Sequence, residues 1–262
     1  MGLRIGVDDL IEDGSFTVDT SATTGWVGAN YQNLIDQRPF STSRPVRDTF
    51  NAGASNALTV LRLTATTTKY VGYIAIFGHN IGSKHTNHNN IYWVVGSASG
   101  THTATDNNII IINVNTTVSA GQEIKISLRR LDFSSNEPDM FLSVFKIGTW
   151  TNLYNIGLPI NVAVNEPQEV QTLLSDKNYL IGLSRTPKPI EVQLNIRNIS
   201  YANMLNLNDT ITKMQYNPFI IDSYLDSNSK PLYAFVNKDI GHPVKNSNHL
   251  YDISIPAKGS YR

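Results

Sequence analysis

The sequence predicts an all-β protein: a β-sandwich in the N-terminal half, then a smaller β-rich module with one helix. Three observations predict it. First, composition favours strands and turns over helices. The 262 residues include 28 Asn and 23 Thr but only six Glu. Asn and Thr suit turns and strands, whereas Glu is a good helix former. Second, short apolar or alternating segments recur at regular spacing, separated by turn residues. Third, only one stretch carries a one-sided helical stripe.

In chain order, the first fifty residues lack strong periodicity, because Asp8, Asp13, Gly14, Ser15 and Asp19 interrupt short apolar pairs. Strand segments follow at Leu58–Thr64, Tyr70–Phe77, Ile91–Val95, Ile109–Val114, Ile124–Leu128 and Met140–Ile147. Turn signals separate them at Gly82-Ser83, Gly96 to Gly100, Ala120-Gly121 and Ser134 to Pro138. Continuous apolar runs suit strands buried on both faces, and alternating runs suit half-exposed ones. From Thr149 to Pro167, aromatic and turn residues read as a linker. Ile190, Val192, Leu194 and Ile196 then alternate with polar residues, the cleanest period of two in the chain. Ser200 is placed to cap a helix whose stripe is Met204, Leu207, Ile211 and Met214, and Asn217-Pro218 ends it. Strands are expected at Phe219–Ile221, Leu232–Val236 and Tyr251–Ile255. The implied division is an N-terminal arm with the first strands (1–50), the core of the sandwich (51–150), and the smaller module (151–262) with its helix near 200–214.

Charge and composition exclude several functions. Twenty-one basic and 21 acidic side chains give a formal net charge of zero. A protein that binds nucleic acid by neutralising phosphates needs a basic surplus, so none is expected as a partner. There is no cysteine, which removes disulfides, thiolate metal sites and cysteine nucleophiles. No apolar run approaches bilayer length, so no membrane insertion is expected, and the N-terminus carries no secretory pattern.

The candidate chemistry is sparse. His79, His85 and His88 lie close together, yet no acidic residue stands between Lys69 and Thr105. A polar loop whose His and Asn side chains cap turns is favoured over a metal site. Neither Asp8-Asp9 nor Glu166 with Glu169 makes a convincing acid/base pair, and no G-x-S-x-G or phosphate-binding glycine loop is present. No enzyme activity, metal or cofactor is expected. Asp106, Asn107 and Asn108 offer oxygen ligands for calcium, but a turn before the next strand explains them equally well. Trp93 reads as core. Trp26, in a glycine-rich segment, is the more open candidate for stacking on a sugar, with His85 and His88 as further glycan-contacting candidates.

One segment resembles a known family. Residues 73–82, YIAIFGHNIG, are similar to the "AIAGHNLG" strand-and-loop motif of a family of tailed-bacteriophage virion proteins. Residues 92–97 (YWVVGS) resemble a strand and turn of the same family, residues 141–148 its closing strand, and the C-terminal part its tail half. The resemblance implies a galactose-binding-like (discoidin-type) jelly roll in the N-terminal half. It also implies a structural, ring-forming role in the tail, baseplate or neck of a virion assembled in the bacterial cytoplasm. The partners would be further copies of the chain and other tail or baseplate proteins, with host-surface glycan as the alternative ligand. Within the motif, Gly78, His79, Asn80 and Gly82 are expected to form a structural loop. Long, weakly structured ends, Met1–Asn51 and Lys245–Arg262, are expected to reach neighbouring subunits.

Overall fold

The computed structural model describes residues 3–19, 32–35, 57–84, 89–129, 140–153, 160–165, 168–174, 180–187, 189–222 and 230–261. The first elements are β1 (Arg4–Gly6), β2 (Phe16–Val18), α1 (Gln32–Ile35), β3 (Ala57–Ala65), β4 (Lys69–Phe77), α2 (Ile81–Lys84) and β5 (Asn90–Val95). Next come β6 (Ala98–Thr103), β7 (Ile110–Val118), β8 (Glu123–Arg129), β9 (Val144–Gly148), β10 (Thr151–Asn152), β11 (Ile160–Asn165) and β12 (Gln168–Leu174). The last are β13 (Leu180–Pro187), β14 (Ile190–Ile199), α3 (Tyr201–Tyr216), β15 (Phe219–Asp222), β16 (Leu232–Val236), β17 (Val244–Lys245) and β18 (Tyr251–Ser260). The chain divides into two compact units, one of Gly6–Trp150 with Tyr261–Arg262 and one of Met1–Ile5 with Thr151–Ser260.

The first of these is the expected β-sandwich, of the two-sheet jelly-roll class. A five-stranded sheet in the order β2-β3-β8-β5-β6 faces a three-stranded sheet in the order β7-β4-β9. The strand pairings in both sheets are antiparallel. The core lies between the sheets. Leu61, Leu63, Ile91, Ile124 and Ile126 from the larger sheet join Ile74, Ile76, Ile112, Phe145 and Ile147 from the smaller one. Burial of such side chains is the main stabilising term, at about 25 cal/mol per Å² of apolar surface.

Two strands of the smaller sheet, β4 and β9, are buried on both faces, while β7 alternates. Every residue of β9 is buried, and so is β4 from Val71 onward. Residues 8–10 run along β9, where the Leu10 N–H donates to the Ile147 carbonyl at 2.8 Å and the Tyr73 hydroxyl reaches the Asp8 carbonyl at 3.3 Å. Tyr73 stacks on Trp150 with ring centroids 4.1 Å apart. Residues 3–19 are therefore packed rather than arm-like, with Leu3, Ile5, Val7, Leu10 and Phe16 all buried.

The second unit is built on a sheet in the order β10-β1-β15-β16-β18-β14-β11, with β17 also pairing β18, and includes a separate β12-β13 hairpin. Helix α3 starts where expected. The Ser200 hydroxyl accepts from the Asn203 N–H, and Leu207, Thr210, Ile211 and Met214 form the buried stripe. Met204, at the first turn, is only half-buried.

Three expectations need correcting. The stretch Thr149–Pro167 is not a linker in its described part, because β11 pairs along its whole length with β14, Ile160 opposite Ile196 through Asn165 opposite Glu191. Its INVAVN pattern is a strand that the nearby aromatic and turn residues conceal. The turn expected from Gly96 to Gly100 is confined to Gly96-Ser97, and Ala98 onward pairs with β5. Small residues hide this strand: Gly100 lies opposite Trp93, and a Cβ there would stand 2.6 Å from the indole. Finally, Lys245–Arg262 is not a free end. Its Tyr251–Ser260 strand lies inside the sheet between β14 and β16.

Candidate functional site

The loop part of the motif begins where β4 ends. Gly78 has φ +62°, a left-handed conformation that glycine adopts without the penalty a side chain brings. This turns the chain sharply out of the strand and places His79 and Asn80 inward, where they are 4% and 5% exposed.

Both imidazole nitrogens of His79 are occupied by backbone. Nδ1 accepts from the Ile81 N–H at 3.2 Å, so the proton sits on Nε2, which donates to the Asn108 carbonyl at 2.7 Å. Burial pushes the His79 pKa below its ordinary value, outweighing the carbonyl contact and the charge of Asp106. The ring is thus a neutral cross-link between the loop after β4 and the loop before β7. Asn80 makes a second cross-link. Its Oδ1 accepts from the Phe141 N–H at 2.8 Å, and its own N–H reaches the Phe141 carbonyl at 3.4 Å. Gly82 completes the arrangement, since a Cβ at that position would lie 1.9 Å from the Asp106 carbonyl oxygen. Only glycine lets the two loops approach so closely.

Asp106 is committed locally. Its Oδ1 accepts from the Asn108 N–H at 2.8 Å, and its Oδ2 accepts from the Asn108 side-chain amide. The three oxygen-bearing residues 106–108 therefore form an Asx-type turn. His102, on β6, is partly buried, which also lowers its pKa. No group of three His, Cys, Asp or Glu side chains suited to a metal ion occurs among the described residues. Gly78, His79, Asn80 and Gly82 are brought together at one rim of the sandwich. Trp26, His85 and His88, the glycan-contacting candidates, lie outside the described residues. Trp93 is half-buried and packs against the core.

Sequence reasoning missed one buried pair. Lys146, on β9, is 1% exposed, and Asp9 is 7% exposed. Burial pushes the Asp9 carboxyl up to about 6 although Lys146 pulls it down, and burial pushes Lys146 down although Asp9 pulls it up. Asp9 Oδ1 also accepts from the Ile11 N–H at 2.9 Å and the Glu12 N–H at 3.4 Å, closing the turn that carries it. The available signal was a lysine inside the apolar run MFLSVFKI.

No protein-family model and no curated protein matches the sequence. A solved structure of CBM32-1 from a family 31 glycoside hydrolase of Clostridium perfringens is similar, with a TM-score of 0.33 and 11% identity over 51% of this chain and 94% of that one. A likeness of this degree assigns no function, since one sandwich architecture hosts many unrelated activities.

Proposed function

We propose that this chain is a non-enzymatic structural subunit of a bacteriophage virion, forming an oligomeric ring in the tail, baseplate or neck. The observation that carries the reading is the state of residues 78–82. The segment that resembles the virion family is committed to holding the rim of the sandwich. Both nitrogens of His79 and the Oδ1 of Asn80 bind backbone groups of this same chain. A general base must reach a substrate proton through a free nitrogen, and His79 has none. The motif thus serves as a clamp between loops, which a subunit with fixed surfaces needs and a reaction centre does not.

In this reading the chain folds in the bacterial cytoplasm and meets further copies of itself and other tail or baseplate proteins. The low charged fraction, 16%, fits surfaces that face neighbouring subunits. Sedimentation velocity and negative-stain imaging of the purified full chain test it. Closed rings of fixed copy number are expected. A monomer persisting over about a hundredfold range of concentration would overturn the proposal.

A further inference from the structure

The second unit contains a groove that the motif segment and the virion reading leave unexplained. It arises from a break in pairing along β18. One side of this strand pairs with β16 through Ala257–Ser260 and with β17 through Tyr251 and Asp252. Between those blocks Ile253, Ser254 and Ile255 have no strand partner on that side among the described residues. The chain leaves β16 with a bond from the Asn237 N–H to the Pro256 carbonyl at 3.4 Å, bows out, and returns at β17. The result is a groove of about 500 Å³. That volume lies within the roughly 300–1,000 Å³ common for ligand sites.

The opposite wall is the outward face of β14. Gln193, Asn195 and Arg197 fall at successive outward positions, and Asp239 and His242 face them from the bowed segment. A polar sheet face is ordinarily just solvated. Two features set this one apart. The bowed segment gives it walls, and Arg197 holds no carboxylate among the described residues. The other two arginines with described side chains do: Arg4 pairs with Asp222 at 2.6 Å, and Arg62 pairs with Glu123. The side chains of Asn195, Asp239 and His242 likewise make no hydrogen bond among the described residues.

We infer that this groove binds a neutral saccharide. The lining combines a donor-only guanidinium, an acceptor-only carboxylate and an amide that does both. Hydroxyl groups donate and accept, so a polyol satisfies all three at once. Arginine and aspartate each present two parallel bonding positions, the geometry that matches adjacent hydroxyls. Val244 and Pro256 supply apolar surface for the C–H face of a sugar ring. Charge selects against acidic ligands. Arg197 is opposed by Asp239 and Asp252, so the lining carries a formal charge of −1. A phosphate or carboxylate gains nothing there. With no aromatic platform in the lining, the affinity is weak, with a dissociation constant on the order of 0.1–10 mM. The inference holds whether or not the chain is a virion part.

The test uses the full chain, titrated with neutral trisaccharides of glucose, galactose and N-acetylglucosamine and observed by NMR. At least one is expected to shift the resonances of Asn195, Arg197, Asp239 and His242, with an affinity that does not change with salt. Arg197→Gln and Asp239→Asn are each expected to weaken binding about tenfold or more with an unchanged melting temperature. If one variant fails to fold, the other carries the test. The proposal is overturned by no shift with any of the three sugars at about 10 mM. It is equally overturned by binding that both folded variants retain, by preference for a hexuronate oligomer or an acidic peptide, or by a change in oligomeric state in Arg197→Gln, which would make the groove a contact between copies.

Discussion

At His79 a titratable side chain is placed where it cannot titrate usefully. It gives up its proton-transfer capacity to satisfy two buried backbone groups, the Ile81 N–H and the Asn108 carbonyl. Replacing it with Phe keeps the volume but strands both groups. The expected cost is about 2–4 kcal/mol, read as a lowered midpoint in denaturant. Its pKa is depressed by burial, so the neutral ring is the form the fold accepts. That contribution is present above the unfolded value of about 6.5 and is lost as pH falls through the folded one. Asp9 has the opposite sign. Its folded pKa of about 6 lies above the reference 3.8, so its contribution is present below pH 3.8 and lost as pH rises through 6. The shift corresponds to about 3 kcal/mol. Asp9→Asn, which keeps the Oδ1 acceptor for Ile11, is expected to flatten the stability profile between about pH 4 and 6. Lys146→Met alone strands a buried carboxylate and is expected to cost about 3 kcal/mol or more, whereas Asp9→Asn with Lys146→Met recovers most of that loss. A double variant as unstable as the single one would show that Lys146 matters for packing rather than charge.

At the scale of elements, what the sequence revealed depended on how each strand is buried. Strands β4, β8 and β14 were legible because each carries the periodicity of its own burial, whereas the apolar run of β5 marked a strand but not its exposed face, where Tyr92 and Val94 lie. Helix α3 was legible from its cap and stripe, and only Met204 departs, because the helix meets the sheet from its second turn onward. The strands that escaped notice owe their place to partners distant in the chain. The polar sequence of β6, ASGTHT, is held at the sheet edge by β5, with Trp93 lying over Gly100. The three residues of β1 gain partners only from far along the chain, lying between β10 and β15, with Arg4 opposite Asn152. The same reasoning applies to the motif. Gly78, His79 and Asn80 were legible as a strand exit and loop anchors, but Asn108, the partner of His79, and Phe141, the partner of Asn80, lie 29 and 61 residues away from the bonding side chains. The polar face of β14 was visible as alternation, while the bowed segment that turns it into a groove carries no local pattern.

For the whole molecule, zero net charge and a pI near 7.0 have a consequence for assembly. Subunits that meet through oppositely charged patches separate as salt screens them, because the Debye length falls from about 10 Å at 0.1 M to about 3 Å at 1 M. This chain carries few charges, and several described ones are already paired internally, Arg4 with Asp222, Arg62 with Glu123 and Lys213 with Asp209. What remains in abundance is neutral: Asn and Thr side chains, with exposed Tyr201, Leu205, Tyr216 and Phe235. An interface built from such groups depends on hydrogen bonds and apolar burial, and neither is screened. The ring proposed above is therefore expected to keep its dissociation constant within about threefold between 0.1 M and 1 M sodium chloride. Sedimentation velocity at both salts checks this. Dissociation by tenfold or more at the higher salt would mean that the subunits meet through charges, and the contacts would then have to be sought among the remaining exposed Lys, Asp and Glu side chains rather than on the neutral faces.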